Sequence, residues 1–336
     1  MKWSIGILTA GLVCLLVAAS PLWAQSRISF QIATGSTGGT YFPVGQMLAS
    51  IISHPPGVGR CQVEGRCGPP GLLAASRATE GSVANARAVS VGRVSSALVQ
   101  ADIAALAFKG EGPFKEQGPL DNLRALANLF PELVHLVVAS EANVAKLSDL
   151  RRKRISIDGP GSGTNATARR ILAAAGLTEK NATFVFENAD RAAQMMATGE
   201  VDAFFFIGGP PLASIADLIA NGDAKLLPIE GKAIDTLMEK ESTLRWARIP
   251  DGIYPGAPET PTIAVAALWI VSAETPDDVV YEIVRATWNP ANRTLLDSGH
   301  PVGRLIRPEI ATMNVPIPFH PGAARYYADG EPPAER

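Results

Sequence analysis

ATGSTGGTYF (residues 33–42) and GPGSGTN (residues 159–165) are two glycine-serine-threonine turns, each following an apolar strand and opening a helix. A turn of this kind leaves unpaired backbone N–H groups aimed at one spot, where small hydroxyls add donors and the helix dipole adds positive potential. One such turn is an anion site. Two, from distant parts of the chain, describe a ligand held at both ends.

Outward from the first turn, residues 27–34 (RISFQIAT) read as a buried strand, and residues 41–53 carry helical spacing in Phe42, Gly45, Leu48, Ala49 and Ile52. Further on, Ser82 is placed to cap a helix over residues 83–89, and Asp102 to cap one that follows a short strand at residues 97–100. Two apolar runs, 123–130 and 134–139, flank Pro131. Around the second turn the chain alternates again: a strand before it, a helix over 168–175 closed by Gly176, a strand at 184–186, a helix at 189–198 and the apolar strand VDAFFFI at 201–207. A proline-rich linker (250–261) precedes TIAVAALWIVS (262–272), a run long enough to cross between lobes, and the last third is helical over 279–287 before a Pro/Gly-rich stretch. Alternating strands and helices with short turns imply parallel sheets in an α/β architecture, where ligands bind beyond the carboxyl ends of the strands. Both glycine turns fall there.

The chain has 336 residues, 47% of them hydrophobic, enough for two cores and hence two lobes. A formal charge of −2 offers no basic footprint for nucleic acid, so no nucleic-acid partner is expected. Lys2, an apolar run over residues 5–19, the Ser20-Pro21 break and Ala24 before Gln25 read as a secretory signal peptide over residues 1–24, cleaved on export to the periplasm. The run is too short to span a membrane, which takes about 20 apolar residues. Cleavage removes Cys14 and leaves Cys61 and Cys67, whose C-x5-C spacing in an exported chain reads as a disulfide clip across a Gly/Pro-rich loop.

No motif for catalysis survives inspection. No lysine follows Gly39 or Gly163 as a phosphate-binding loop requires, and the dinucleotide pattern fails at Thr164. The nucleophile elbow fails at Thr34 and Pro160, each two residues before a serine. The four histidines (His54, His135, His300, His320) are scattered, and neither a metal-ligand pattern nor a cofactor motif is present in the sequence. The serines therefore read as donors rather than nucleophiles, and no catalytic residue, metal or cofactor is expected.

The segments ATGSTGGTYFPVGQMLA (33–49), GSVANARAV (81–89), LVQADIA (98–104), DGPGSGTNATARRIL (158–172), GEVDAFFFIGGPP (199–211), IPDGIYPG (249–256) and PFHPGAARYYADG (318–330) resemble, in order, the TAXI solute receptors of TRAP transporters. The resemblance implies a two-lobed type II periplasmic-binding fold, each lobe a mostly parallel sheet flanked by helices, joined by crossing hinge strands. It places lobe one at residues 25–133 and 262–330, lobe two at 134–261 and a C-terminal tail at 331–336. It implies a non-enzymatic, monomeric receptor that captures an acidic amino acid or a 2-oxo or dicarboxylate ligand between the lobes and delivers it to TRAP permease subunits. Carried over by position, Ser36, Thr37, Gly38, Gly39, Thr40, Tyr41, Ser82 and Gln100 would bind from lobe one. Ser162, Gly163, Thr164, Asn165, Phe206 and Gly209 would bind from lobe two. Two alternatives stay open: a ligand-binding subunit for a membrane sensor, and an exported hydrolase using Ser36 or Ser162. The insertion at residues 61–71 is longer than the family pattern and would alter ligand size if it leaned over the crevice. No arginine lies within the turns to clamp a second carboxylate, leaving Arg93 or Arg169 to reach inwards.

Overall fold

A computed structural model describes residues 27–330; the expected signal peptide and the tail at 331–336 lie outside the described residues. In chain order the first half contains β1 (Ile28–Ala33), α1 (Tyr41–Ile52), β2 (Leu72–Arg77), α2 (Ser82–Ser90), β3 (Ser96–Gln100), α3 (Ala101–Lys109), β4 (Leu123–Ala139), β5 (Arg154–Ser156) and α4 (Gly163–Ala174). The second half contains β6 (Thr183–Val185), α5 (Ala189–Ala197), β7 (Ala203–Gly208), α6 (Ala213–Ala220), β8 (Ala224–Leu226), α7 (Lys232–Lys240), β9 (Leu244–Ile249), β10 (Thr260–Ser272), α8 (Asp277–Trp288), α9 (Arg293–Gly299) and α10 (Pro321–Asp329).

Hydrogen bonding links the strands into one ten-stranded sheet, in the order β2-β1-β3-β10-β4-β7-β5-β6, with β8 on β4 and β9 on β10. Each lobe has a parallel set, β2-β1-β3 in the first and β7-β5-β6 in the second. The long strands β4 and β10 run antiparallel to each other, β10 pairing with β3 of the first set and β4 with β7 of the second, so together they connect the two. The sequence suggested two apolar runs broken at Pro131, whereas β4 is one strand of 17 residues. Proline is tolerated because β4 has a single neighbour there: Pro131 lies opposite Ala266 of β10, and pairing to β7 begins only at Leu133.

Helices cover both faces. On α1 the residues Tyr41, Val44, Leu48, Ile51 and Ile52 form a stripe at helical spacing and pack against Trp269, Val280 and Leu296 in the core of lobe one. Each such fully buried aliphatic side chain contributes about 1.5–3 kcal/mol. A second core joins α5 and α6 to β7 in lobe two, and a third runs along the other face of the sheet from α2 and α3 to α4 and α7. Within the Pro/Gly-rich end, where the sequence suggested no further element, α9 and α10 close the chain, with Ala323 of α10 in the core. Pro321 occupies the first helical position, where its missing N–H costs nothing. Strand β9 was missed because only its two end residues are buried.

His135 is buried in β4, with Nδ1 at 3.0 Å from the Leu133 carbonyl and Nε2 at 3.1 Å from the Tyr254 hydroxyl. Burial pushes it down to about 4. Because the unfolded chain takes up this proton near pH 6.5, stability should be full above that pH and fall as pH drops towards 4, by about 3 kcal/mol from this one residue. His135→Leu should therefore flatten the stability curve in that window, as measured by denaturant unfolding at pH 7, 5.5 and 4.5.

Candidate functional site

The carboxyl ends of β1, β3, β5 and β7 converge on a cavity of about 440 Å³ between the lobes. The first glycine turn contributes Gly35, Ser36, Gly39, Thr40 and Tyr41, and the second Gly159, Pro160, Ser162, Gly163 and Thr164. Ser82, Gln100 and Phe206 complete this part of the lining. Four of the residues carried over from the resemblance sit behind or beside it. Thr37 and Gly38 are exposed. Asn165 turns its amide back to the Asp158 carbonyl at 2.7 Å, and Gly209 offers its carbonyl to Thr40 Oγ1 at 2.9 Å.

The hydroxyls have local duties as well as exposure to the cavity. Ser162, buried at the start of α4, caps that helix by accepting from Asn165 N at 2.9 Å, and Thr164 Oγ1 accepts from Ile207 N. Ser82 does not cap α2, whose N-cap is Gly81; its hydroxyl instead accepts from Gln100 N at 3.1 Å, fixing the end of β3. Asp102 likewise is not the cap of α3 but lies inside its first turn. It is 1% exposed and accepts from Thr167 Oγ1 at 2.6 Å and from Arg170 at 2.9 Å, tying α3 of lobe one to α4 of lobe two. Burial raises its carboxyl, an effect that Arg170 and Thr167 offset in part.

Gln100 stands apart. It is 2% exposed, and neither Oε1 nor Nε2 has a hydrogen-bond partner. A buried amide without partners costs about 1–3 kcal/mol per group, so a fold retains one only where it serves another purpose. Its neighbour across the cleft is Gly163, where any Cβ would collide with Gln100 and Ser82. Gly81, at φ +113°, similarly faces the Ser162 backbone, and Ala84 N donates to the Gly161 carbonyl at 3.0 Å. The lobes are therefore in contact around the cavity.

The sequence reading missed the acidic lining. Glu80, Glu132, Asp158 and Glu187 all border the cavity, and no lysine, arginine or histidine does among the described residues. Glu132, 1% exposed, accepts from the Tyr41 hydroxyl at 2.6 Å. Burial holds its carboxyl well above the usual range, and burial with the neighbouring Glu132 pushes Tyr41 upward too. Asp158 is pushed up to about 6 by burial. A signal existed for Glu132: it is the one charged side chain in the apolar stretch LANLFPELVHLVVA (126–139). Neither proposed clamp reaches inside. Arg169 bonds Asn165 and Glu179, and Arg93 borders a separate hollow of about 710 Å³ beside Val91.

Cys61 and Cys67 are bonded, as the spacing suggested. Their loop packs at the C-terminal end of α1, through Arg60 to the Ile51 and Ser53 carbonyls, and beside Arg285 of α8 through Glu64. No residue of the insertion borders the cavity, so it does not lean over the crevice. Replacing both cysteines by serine should cost stability yet leave ligand affinity unchanged, as measured by calorimetric titration. Among the described residues no group of three or more His, Cys, Asp or Glu could hold a metal ion, and no helix is long and apolar enough to cross a membrane.

Two α/β lobes on shared long strands, with the cleft at the strand ends, define the periplasmic-binding-protein fold, and solved structures of that class align along most of the chain. MatC of Rhodopseudomonas palustris with bound malate aligns at 16% identity and a TM-score of 0.51, covering 90% of this chain and 96% of its own. The periplasmic binding protein BugD aligns at 13% and 0.51, covering 90% and 93%, and a periplasmic transporter at 13% and 0.52, covering 83% and 92%. The chain belongs to the NMT1-like family, which it matches over residues 32–329.

Proposed function

We propose that this chain is a periplasmic solute receptor of a TRAP-type transporter, which captures a small carboxylate ligand between its lobes and delivers it to the membrane permease. The observation that carries the reading is the unpartnered Gln100 amide in an interlobe cavity flanked by the N-terminal turns of α1 and α4. Those turns grip an anion with neutral donors, each charge-assisted hydrogen bond being worth roughly 1.5–3 kcal/mol. The malate in MatC is a carboxylate held by a protein of the same fold. The lobes divide near residues 133 and 262, where β4 and β10 carry the chain across, and bending there would admit the ligand and shift the population towards the closed form on binding. The closed pair of lobes then offers the permease a surface that the open form lacks. Ser36 and Ser162 act as donors in this reading, since no histidine among the described residues borders the cavity to activate either.

A thermal-shift screen of the purified protein against amino acids, 2-oxo acids, dicarboxylates and inorganic oxyanions tests the proposal. A ligand confined to the folded form stabilises it by about 2.7 kcal/mol at a hundredfold excess over its dissociation constant. Stabilisation by a carboxylate supports the reading; stabilisation by oxyanions alone, or by none of the panel, contradicts it.

A further inference from the structure

We propose that the ligand bears a protonated amine beside its carboxylate and carries no second acid: a net-neutral amino acid zwitterion rather than a dicarboxylate or an acidic amino acid. The inference rests on the receptor reading above and narrows its ligand class.

Three observations carry it. First, the cavity wall holds Glu80 from lobe one and Asp158 and Glu187 from lobe two, with no basic side chain among the described residues to balance them. Glu132 of the connecting strand also borders it, but burial favours its neutral form and it adds no charge to the argument. A cleft lined by one sign of charge enriches the opposite sign and repels its own, so a dianion meets an opposing field from both lobes. Of the arginines of α4, Arg170 is committed to Asp102 and Glu241, while Arg169 lies behind the wall, its guanidinium 5.5 Å from the centre of the Phe186 ring and bonded to Asn165 and Glu179. Second, the carboxylates do not gather in a set that could hold a metal ion. An organic cation, which offers several N–H donors in different directions, suits such spacing where a single ion does not.

Third, the Gln100 amide presents a free donor and a free acceptor together at 2% exposure. A dicarboxylate or 2-oxo acid without a hydroxyl or amine can satisfy Nε2 only and leaves Oε1 without a donor, while a hydroxy-dicarboxylate supplies that donor but still brings a second anion to an acidic wall. An amino acid satisfies both, its carboxylate accepting from Nε2 and its ammonium donating to Oε1, because the two groups sit on one carbon. Phe186 and Phe206 supply apolar wall for an uncharged side chain.

The test is calorimetric titration of the full mature protein with neutral L-amino acids, each paired with the 2-oxo acid of the same carbon skeleton, and with glutamate, 2-oxoglutarate, malate and a simple alkylamine. Glu80→Gln and Glu187→Gln are titrated alongside. A neutral amino acid should bind at least about tenfold tighter than its 2-oxo partner, and that gap should narrow in one or both variants. Equal or tighter binding of a 2-oxo acid or dicarboxylate overturns the inference while leaving the receptor reading standing. So does preference for glutamate over every neutral amino acid. Binding of the alkylamine alone, or of nothing in the panel, overturns the carboxylate receptor reading and the inference with it.

Discussion

Gln100→Leu should raise the stability of the unliganded protein by about 1 kcal/mol while lowering ligand affinity by roughly a hundredfold. The two effects share one cause. Both amide atoms lie buried without partners, so replacing them by apolar atoms of similar volume removes a desolvation cost from the free protein. The same replacement removes two hydrogen bonds to a charged ligand, together about 3 kcal/mol, which is the hundredfold. Opposite signs separate binding from structure: if Gln100 were a structural residue, its loss would lower stability and leave affinity alone. Chemical denaturation and calorimetric titration of the same preparation read both quantities.

Asp102→Ala should destabilise the protein by about 1–3 kcal/mol, the range for leaving buried hydrogen-bonding groups without a partner. Asp102 is almost fully buried, and its loss leaves Thr167 Oγ1 without an acceptor and frees one arm of Arg170, which keeps Glu241. The damage falls between α3 and α4, on different lobes, so ligand-induced closure should weaken with it. Asp102→Asn, which keeps the acceptor for Thr167 and the Ile103 amide, should lose less. A denaturant midpoint for the alanine variant within ~0.5 kcal/mol of wild type would contradict this account of the interlobe contact.

Much of the fold was legible because its signals are local. Strand, glycine turn and helix recur as one unit, and α1 and α5 start and stop within a residue or two of where spacing and caps place them. By contrast, α4 ends where Gly176 suggests but starts at Gly163, five residues before the expected 168, because Ser162 caps it. Pro131 misled because a proline in an apolar run reads as a break, and only tertiary pairing shows that β4 has one neighbour at that point. The helices α9 and α10 are too short, and too framed by proline, for helical periodicity to emerge. Ser82 and Asp102 were read as caps because their residue types favour that role, yet their partners lie 18 and 65 residues away, at Gln100 and Thr167. Long-range hydrogen bonds leave no trace in local spacing.

The site divides in the same way. Ser36, Ser162 and the turns around them announce themselves by composition. The charge of the wall does not, because Glu80, Glu132, Asp158 and Glu187 come from four separate segments that meet only in the folded chain. Charge summed over the sequence is close to neutral, which hides a cleft whose bordering ionisable side chains are acidic apart from Tyr41. That difference moves the expected ligand from a dianion towards a zwitterion.

The most direct test of the central claim is a crystal structure of the protein grown with the solute that stabilises it most. The account expects ligand density in the interlobe cavity, within hydrogen-bond distance of the Gln100 amide and of the backbone turns that open α1 and α4. Density at the hollow beside Val91 and Arg93, or anywhere that leaves the Gln100 amide without a partner, would contradict it.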